Sequence, residues 1–161
     1  MTEELNHALI LRLASEFQGF ARDLHDEAVA AVALYLVPGQ PRLQDVVALP
    51  YRAGRRLDRG NAEPSGLRED FNMFGVELWT EIGLRHPMRG QQWREGLARL
   101  NQARNGVAHD DPGKVTSVAL AGWPPTLRSV RRWRGALDCL AGAMDDVLGR
   151  HLFGLYGTAP W

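Results

Sequence analysis

The chain has 161 residues, a length that suits one domain, and 45% of them are hydrophobic, enough apolar material for a real core. Nineteen basic residues balance nineteen acidic ones, so no global field draws the chain to nucleic acid or to a membrane, and an anionic partner has to be met by a local patch. Cys139 is the only cysteine, which excludes an internal disulfide and a cysteine-rich zinc site.

The opening Met1-Thr2-Glu3-Glu4 is acidic where a signal peptide is basic, and no apolar run approaches the roughly 18 residues of a membrane span. A cytoplasmic protein with no membrane partner is expected. Lys114 is the sole lysine, so nearly all the positive charge sits on guanidinium groups, whose planar fork suits phosphate and carboxylate. A GC-rich coding sequence produces the same bias.

Leu5, Leu9, Leu13, Phe17, Phe20, Leu24 and Ala28 recur at spacings of three or four, which predicts a long amphipathic helix from about Thr2 to Val37, stopped by Pro38-Gly39. From Gln40 to Gly66 prolines and glycines break the pattern into short helices and turns. Phe71, Phe74, Leu78 and Ile82 then predict one helix that starts near Ser65 or Leu67 and ends around Gly83 to Pro87, with Gly75 tolerated inside it. Trp93, Leu97, Leu100 and Val107 mark another from about Met88 to Asp110, ended by Asp110-Asp111-Pro112-Gly113. The β-branched stretch Lys114 to Leu120 is too short to make a sheet and reads as a connection. After Pro124-Pro125-Thr126, the residues Leu127, Val130, Trp133, Leu137, Leu140, Met144, Val147 and Leu148 predict a last helix. The expected fold is therefore all-α, one domain over 1–161, a bundle of about four main helices.

Residues of catalytic type gather at one helix end, in Leu100-Asn101-Gln102-Ala103-Arg104-Asn105-Gly106-Val107-Ala108-His109-Asp110. Asn105 and His109 are four apart and share a face, and the long Arg104 side chain reaches the same cleft. RNA cleavage without a metal needs a base for the 2′-hydroxyl proton, an acid for the departing 5′-oxygen, and cations for the charge on phosphorus. Imidazole serves either proton-transfer role, and guanidinium offers paired donors to a phosphate. Asn105 would orient the phosphate or the ring. The same residues also suit a plain helix end, with Arg104 paired to a surface acid and His109 capping carbonyls.

The segment Ala103-Arg104-Asn105-Gly106-Val107-Ala108-His109-Asp110 resembles the signature of the HEPN superfamily: an arginine, a polar residue and, four to six residues after the arginine, a histidine. The run from His7 to Phe17 resembles the opening helix of RiboL-PSP-HEPN-like members. The resemblance implies an up-and-down helical bundle that dimerises, so that two motif copies form one cleft acting as a metal-independent endoribonuclease, often a toxin or defence-system effector. It carries the family's arginine, polar and histidine positions onto Arg104, Asn105 and His109. It implies RNA as substrate, a homodimer, an antitoxin or nucleotidyltransferase as further partner, and no cofactor. Gly106 departs from a regular helix here and loosens it. Other HEPN proteins are non-catalytic, so the alternative is a helical interaction module binding a partner protein or a nucleotide.

Arg52, Arg55, Arg56 and Arg59, and separately Arg128, Arg131 and Arg132, could follow an RNA backbone or simply form solvated faces with weak ion pairs. Glu16 could reach Arg104 or His109 across the bundle, or remain a surface carboxylate. His7, His25, His86 and His151 lack metal-ligand spacing, and no Gly-rich turn carries a phosphate-loop lysine. Trp79, Trp93 and Trp133 fall on apolar stripes and read as core. The aromatic tail from Phe153 to Trp161 suits docking on the body, on a dimer partner, or stacking on RNA bases.

Overall fold

The computed structural model describes residues 2–161, and 78% of the chain is helical with no strand among the described residues. The helices are α1 (Thr2–Leu36), α2 (Pro41–Arg52), α3 (Pro64–Asn72), α4 (Leu78–Arg85), α5 (Gly90–Ala108), α6 (Pro112–Leu120) and α7 (Leu127–Tyr156), with a single 3-10 turn at Arg56–Asp58. This is a finer division than four main helices. The long elements α1, α5 and α7 pack on one another, while the shorter ones close the gaps between them. None of the described helices is long and apolar enough to cross a membrane.

The buried face of α1 is set by Ile10, Ala14, Phe17, Ala21, Leu24, Ala28 and Val32, spaced three or four apart. Phe17, Leu24 and Ala28 are buried as the spacing predicts, whereas Leu9, Leu13 and Phe20 only border the core and Leu5 is exposed. Alanines hold its centre because small side chains let neighbouring helices approach closely. From α7 come Trp133, Leu137, Leu140, Met144 and Leu148, all fully or nearly fully buried. Trp133 also donates its indole Nε1–H to the Gly96 carbonyl, 3.0 Å away, which satisfies the one polar atom of a side chain with no exposed surface. Burying such a side chain stabilises the fold by about 3 kcal/mol. Trp93 is buried as expected, whereas Trp79 is only partly so.

Two segments differ from the sequence reading. The single helix expected from about Ser65 to the Gly83–Pro87 stretch is broken into α3 and α4, because Gly75 takes φ +80° and turns the chain between Phe74 and Leu78. The break lets Phe74, Val76 and Leu78 all point inward, and the freed Phe74 carbonyl is bonded by His151 Nε2 at 2.8 Å. The stretch Lys114 to Leu120 is helical rather than a bare connection. Pro112 opens α6, Asp111 Oδ1 caps it by accepting from Lys114 N at 3.1 Å, and Val118 is buried. Packing and capping here outweigh the weak β-preference of Val and Thr.

Gly106 explains how α6 lies back on α5. A Cβ at that position would stand 3.0 Å from Val115 Cγ2, 3.1 Å from Lys114 Cβ and 3.2 Å from Val115 N. The glycine is therefore a close-approach position between two helices, not a loose point in α5. Gly106→Ala gains helix propensity of about 1 kcal/mol. It must, however, push back a backbone nitrogen that is itself bonded to Asp111 O. Overpacking of this kind costs about 1–3 kcal/mol, so the variant is expected to be net destabilised by about 1 kcal/mol, read as a lower denaturation midpoint in urea. A variant as stable as the parent would show that the two helices separate freely.

The tail folds back on the body. The Trp161 ring lies beside Gly149, and Tyr156 stacks on Tyr35 with ring centroids 4.0 Å apart.

Candidate active site

The end of α5 is a Schellman turn. Asp111 N–H donates to the Gly106 carbonyl at 2.8 Å, and Asp110 N–H donates to the Val107 carbonyl at 3.4 Å. Asp110 sits between them at φ +49°, the sole non-glycine residue with positive φ among the described residues. A short polar side chain makes that region tolerable at modest cost. His109 is the C-cap, its N–H donating to the Asn105 carbonyl at 3.1 Å. The turn thus holds the His109 backbone while leaving its imidazole exposed, with no side-chain hydrogen bond or ion pair to the described residues.

One turn back, Arg104 and Asn105 are half-buried and in contact: Arg104 Nη1 donates to Asn105 Oδ1 at 3.1 Å. The same oxygen accepts from Asn61 Nδ2 at 2.8 Å. Arg104 has no carboxylate within ion-pair distance among the described residues, so its charge is not neutralised locally. The surface-acid pairing that a plain helix end would provide is absent here. His109 is placed at the same end of α5, joined to Asn105 through the backbone, but its imidazole makes no hydrogen bond to the Arg104 or Asn105 side chain.

Asn61 is the residue that sequence reading missed. It lies in the Pro- and Gly-broken stretch, 44 positions from its partner, where neither periodicity nor spacing singles it out. The loop carrying it is fastened from several sides. Gln18 Nε2 donates to the carbonyls of Leu57 and Gly60 at 2.9 and 2.6 Å, and the Arg22 guanidinium also donates to Leu57 O. Asp70, buried on α3, accepts from the backbone N–H groups of Arg56 and Leu57 at 2.8 and 2.9 Å. Buried Asn101 on α5 donates to Ala62 O at 2.9 Å, one turn before Asn105. These contacts set the loop against α5 and bring Asn61 to Asn105.

The arginines of this loop do not form the free cationic stripe that their spacing allowed. Arg52 and Arg55 bond Asp26, Arg55 bonds Asp58 in a two-pronged pair at 2.9 and 3.0 Å, and Arg56 meets Glu69 at 3.4 Å. The Arg55 hydrogen bond holds the Asp58 carboxyl below its ordinary pKa. Arg59 alone of this group has no carboxylate partner among the described residues. It lines a cavity of about 310 Å³ together with Arg56, Asn61, Glu63 and Ser65. On α7, Arg132 lies over the Trp123 ring, its Cζ 3.7 Å from the centroid, so part of the second arginine group is engaged with an aromatic face. Glu16 pairs with Arg12 on the surface of α1 at 2.7 Å and is a surface carboxylate, not a partner of Arg104 or His109. No three His, Cys, Asp or Glu side chains converge as metal ligands among the described residues.

No family model, curated protein or solved structure matches this chain. The HEPN resemblance stands on the residues themselves.

Beneath the loop, His25 is fully buried against Phe71 and Phe74, with ring centroids 5.7 and 4.9 Å away. Arg55 Nη1 is 3.4 Å from its Nδ1, and Nε2 has no hydrogen-bond partner. Since guanidinium only donates, Nδ1 accepts and the proton of the neutral ring sits on Nε2. Burial first, then the Arg55 charge, lowers the His25 pKa. The unfolded chain therefore binds a proton that the folded one refuses. Folding stability should fall as pH drops below about 6.5, levelling off below the depressed folded value, with a slope of at most about 1.4 kcal/mol per pH unit. His25→Leu should remove this part of the pH dependence, measured as urea midpoints between pH 7 and pH 5. An unchanged slope would mean that His25 titrates as it does in the unfolded chain.

Proposed function

We propose that the chain is a metal-independent endoribonuclease of HEPN type, an up-and-down bundle acting as a cytoplasmic toxin or defence effector. The observation that carries this reading is the convergence of Arg104 and Asn61 on Asn105 beside an exposed His109, with Arg104 free of any carboxylate among the described residues. Three side chains that bind or position a phosphate thus gather next to one that moves a proton.

In the proposed reaction the 2′-oxygen bonds to phosphorus as its proton passes to a base, and the bond to the 5′-oxygen breaks as that oxygen takes a proton from an acid. The products are a 2′,3′-cyclic phosphate and a 5′-hydroxyl. Arg104 donates to the non-bridging oxygens as charge grows on them, and Asn105 and Asn61 fix the approach. One His109 supplies one proton-transfer role, and a second copy of the chain in a two-fold dimer supplies the other.

The test is incubation of the purified chain with structured RNA in EDTA. Cleavage leaving cyclic-phosphate ends, together with dimer mass by light scattering, is the expected result. Activity lost on chelation and restored by magnesium, or none at all, overturns the reading.

A second reading, a non-catalytic interaction module, draws on exposed apolar side chains elsewhere: Leu34 and Leu36 on α1, and Leu43, Val46 and Leu49 on α2. Apolar surface left open is where protein partners dock. An antitoxin or a nucleotidyltransferase fits either reading as partner.

A further inference from the structure

A cleft of about 670 Å³ opens where the start of α3, α4 and the first half of α5 meet, within the range of small-ligand sites. Its walls include Ser65, Trp79, Gln91, Arg94 and Glu95. Trp79 is held by its Nε1–H, which donates to the Pro64 carbonyl at 2.8 Å, so the ring plane is fixed. Arg94 is exposed and lies over that ring, its Cζ 5.5 Å from the centroid, with no carboxylate partner among the described residues. Glu95 Oε1 accepts from Gln91 Nε2 at 2.9 Å and keeps its other oxygen available.

Two features tie the cleft to the end of α5. Ser65 lines both this cleft and the smaller cavity holding Arg59 and Asn61. Along α5, Gln91, Glu95, Ala98, Gln102, Asn105 and His109 follow at spacings of three and four, so one helix face leads from the cleft to the Arg104 site. From Glu95 to His109 that face spans about 21 Å.

We propose that the cleft is a base-binding subsite for an unpaired nucleotide of the RNA strand whose phosphate lies at Arg104 and Asn105. The inference rests on the ribonuclease reading and extends it to a preference for single-stranded segments. A rigid indole face and a guanidinium plane are the two surfaces on which unstacked bases rest. Glu95 decides for a base over a phosphate: a carboxylate repels phosphate but accepts from an exocyclic amine. The phosphate belongs to Arg104, which has no carboxylate within ion-pair distance among the described residues, whereas Arg59 shares its cavity with Glu63.

The test uses a fluorescent single-stranded octanucleotide with 2′-O-methyl sugars, which blocks attack by the 2′-oxygen, titrated into the full chain. The indole N–H resonance of Trp79, assigned by its loss in Trp79→Phe, is expected to shift on binding. Arg94→Ala and Trp79→Leu should each weaken affinity roughly fivefold to a hundredfold, the range for losing one stacked base. Trp79→Phe, which keeps the ring, should bind within a few-fold of the parent. Arg94→Ala removes an exposed side chain and leaves the fold intact, so its result stands even if Trp79→Leu unfolds. If the parent cleaves RNA but neither variant loses affinity and the Trp79 signal does not move, the subsite is overturned and the ribonuclease reading survives. If the parent neither binds nor cleaves RNA, both fall. Adenosine or uridine monophosphate moving the Trp79 signal when the octanucleotide does not would assign the cleft to a free nucleotide and overturn the RNA source.

Discussion

On the ribonuclease reading, His109→Ala and Arg104→Ala are each expected to lower RNA cleavage at least about a hundredfold, the typical cost of losing an acid-base or charge-stabilising group, while the helical circular-dichroism signal and melting temperature stay nearly unchanged. The structure explains why the two readouts should separate. His109 contributes to folding through its backbone N–H at the C-cap, which alanine keeps, and its imidazole is exposed. Arg104 gives one hydrogen bond to Asn105 Oδ1, and Asn61 still occupies that oxygen when the guanidinium is gone. Neither truncation opens a core cavity, so stability should change by less than about 1 kcal/mol. Full activity in either variant removes that residue from the mechanism. Unfolding of both would return them to a structural role.

Asp70→Ala has the largest expected effect on stability. Its carboxylate is 3% exposed and accepts two backbone N–H groups, from Arg56 and Leu57, at the start of the loop that carries Asn61. Hydrogen bonds to a charged group contribute about 1.5–3 kcal/mol each, and alanine leaves both donors without their acceptor. A loss of about 3 kcal/mol is expected, which for a domain of this size lowers the melting temperature by about 10 °C. Asp70→Asn keeps one acceptor and should fall between. Because Asn61 rides on the same loop, cleavage by Asp70→Ala should drop even at temperatures where the helices persist. Thermal melts and cleavage assays at 15 °C check both halves, and a variant melting within 2 °C of the parent would show that the loop is held by Gln18, Arg22 and Asn101 alone.

The long elements were legible because each buries a stripe with helical period: α5 and α7 lie within two residues of their expected starts, and α1 ends one residue from its expected end. In the α1 stripe Phe17, Leu24 and Ala28 were legible, but the first turns were misplaced because large leucines at Leu5, Leu9 and Leu13 outweigh alanines on paper, whereas the close packing of three helices selects Ala14 and Ala21. The break at Gly75 was not legible, since a glycine inside a periodic pattern looks the same whether it continues the helix or turns it. Nor was α6, whose β-branched residues are helical because of a neighbour that has no side chain, Gly106. The candidate site was half legible. Arg104, Asn105 and His109 announce themselves by local spacing, but Asn61 and the residues that hold its loop depend on contacts across tens of positions, which no local pattern records.

The back-folded α6 is, like α2, held mainly by one neighbouring helix and buries a single residue. It rests mainly on α5, Val118 is its one buried side chain, and Gln102 meets Ser117 in a single side-chain hydrogen bond at 3.2 Å. An element with so little buried surface opens locally at a free-energy cost far below that of global unfolding. Its amides should exchange with deuterium well before those of α5 and α7, and each opening uncovers the side of α5 that bears Gly106, one residue from Asn105. The turn that bears His109 therefore joins α5 to an element expected to open readily, and slowed exchange in α6 would register occupancy of the candidate site by a ligand that touches α5 alone.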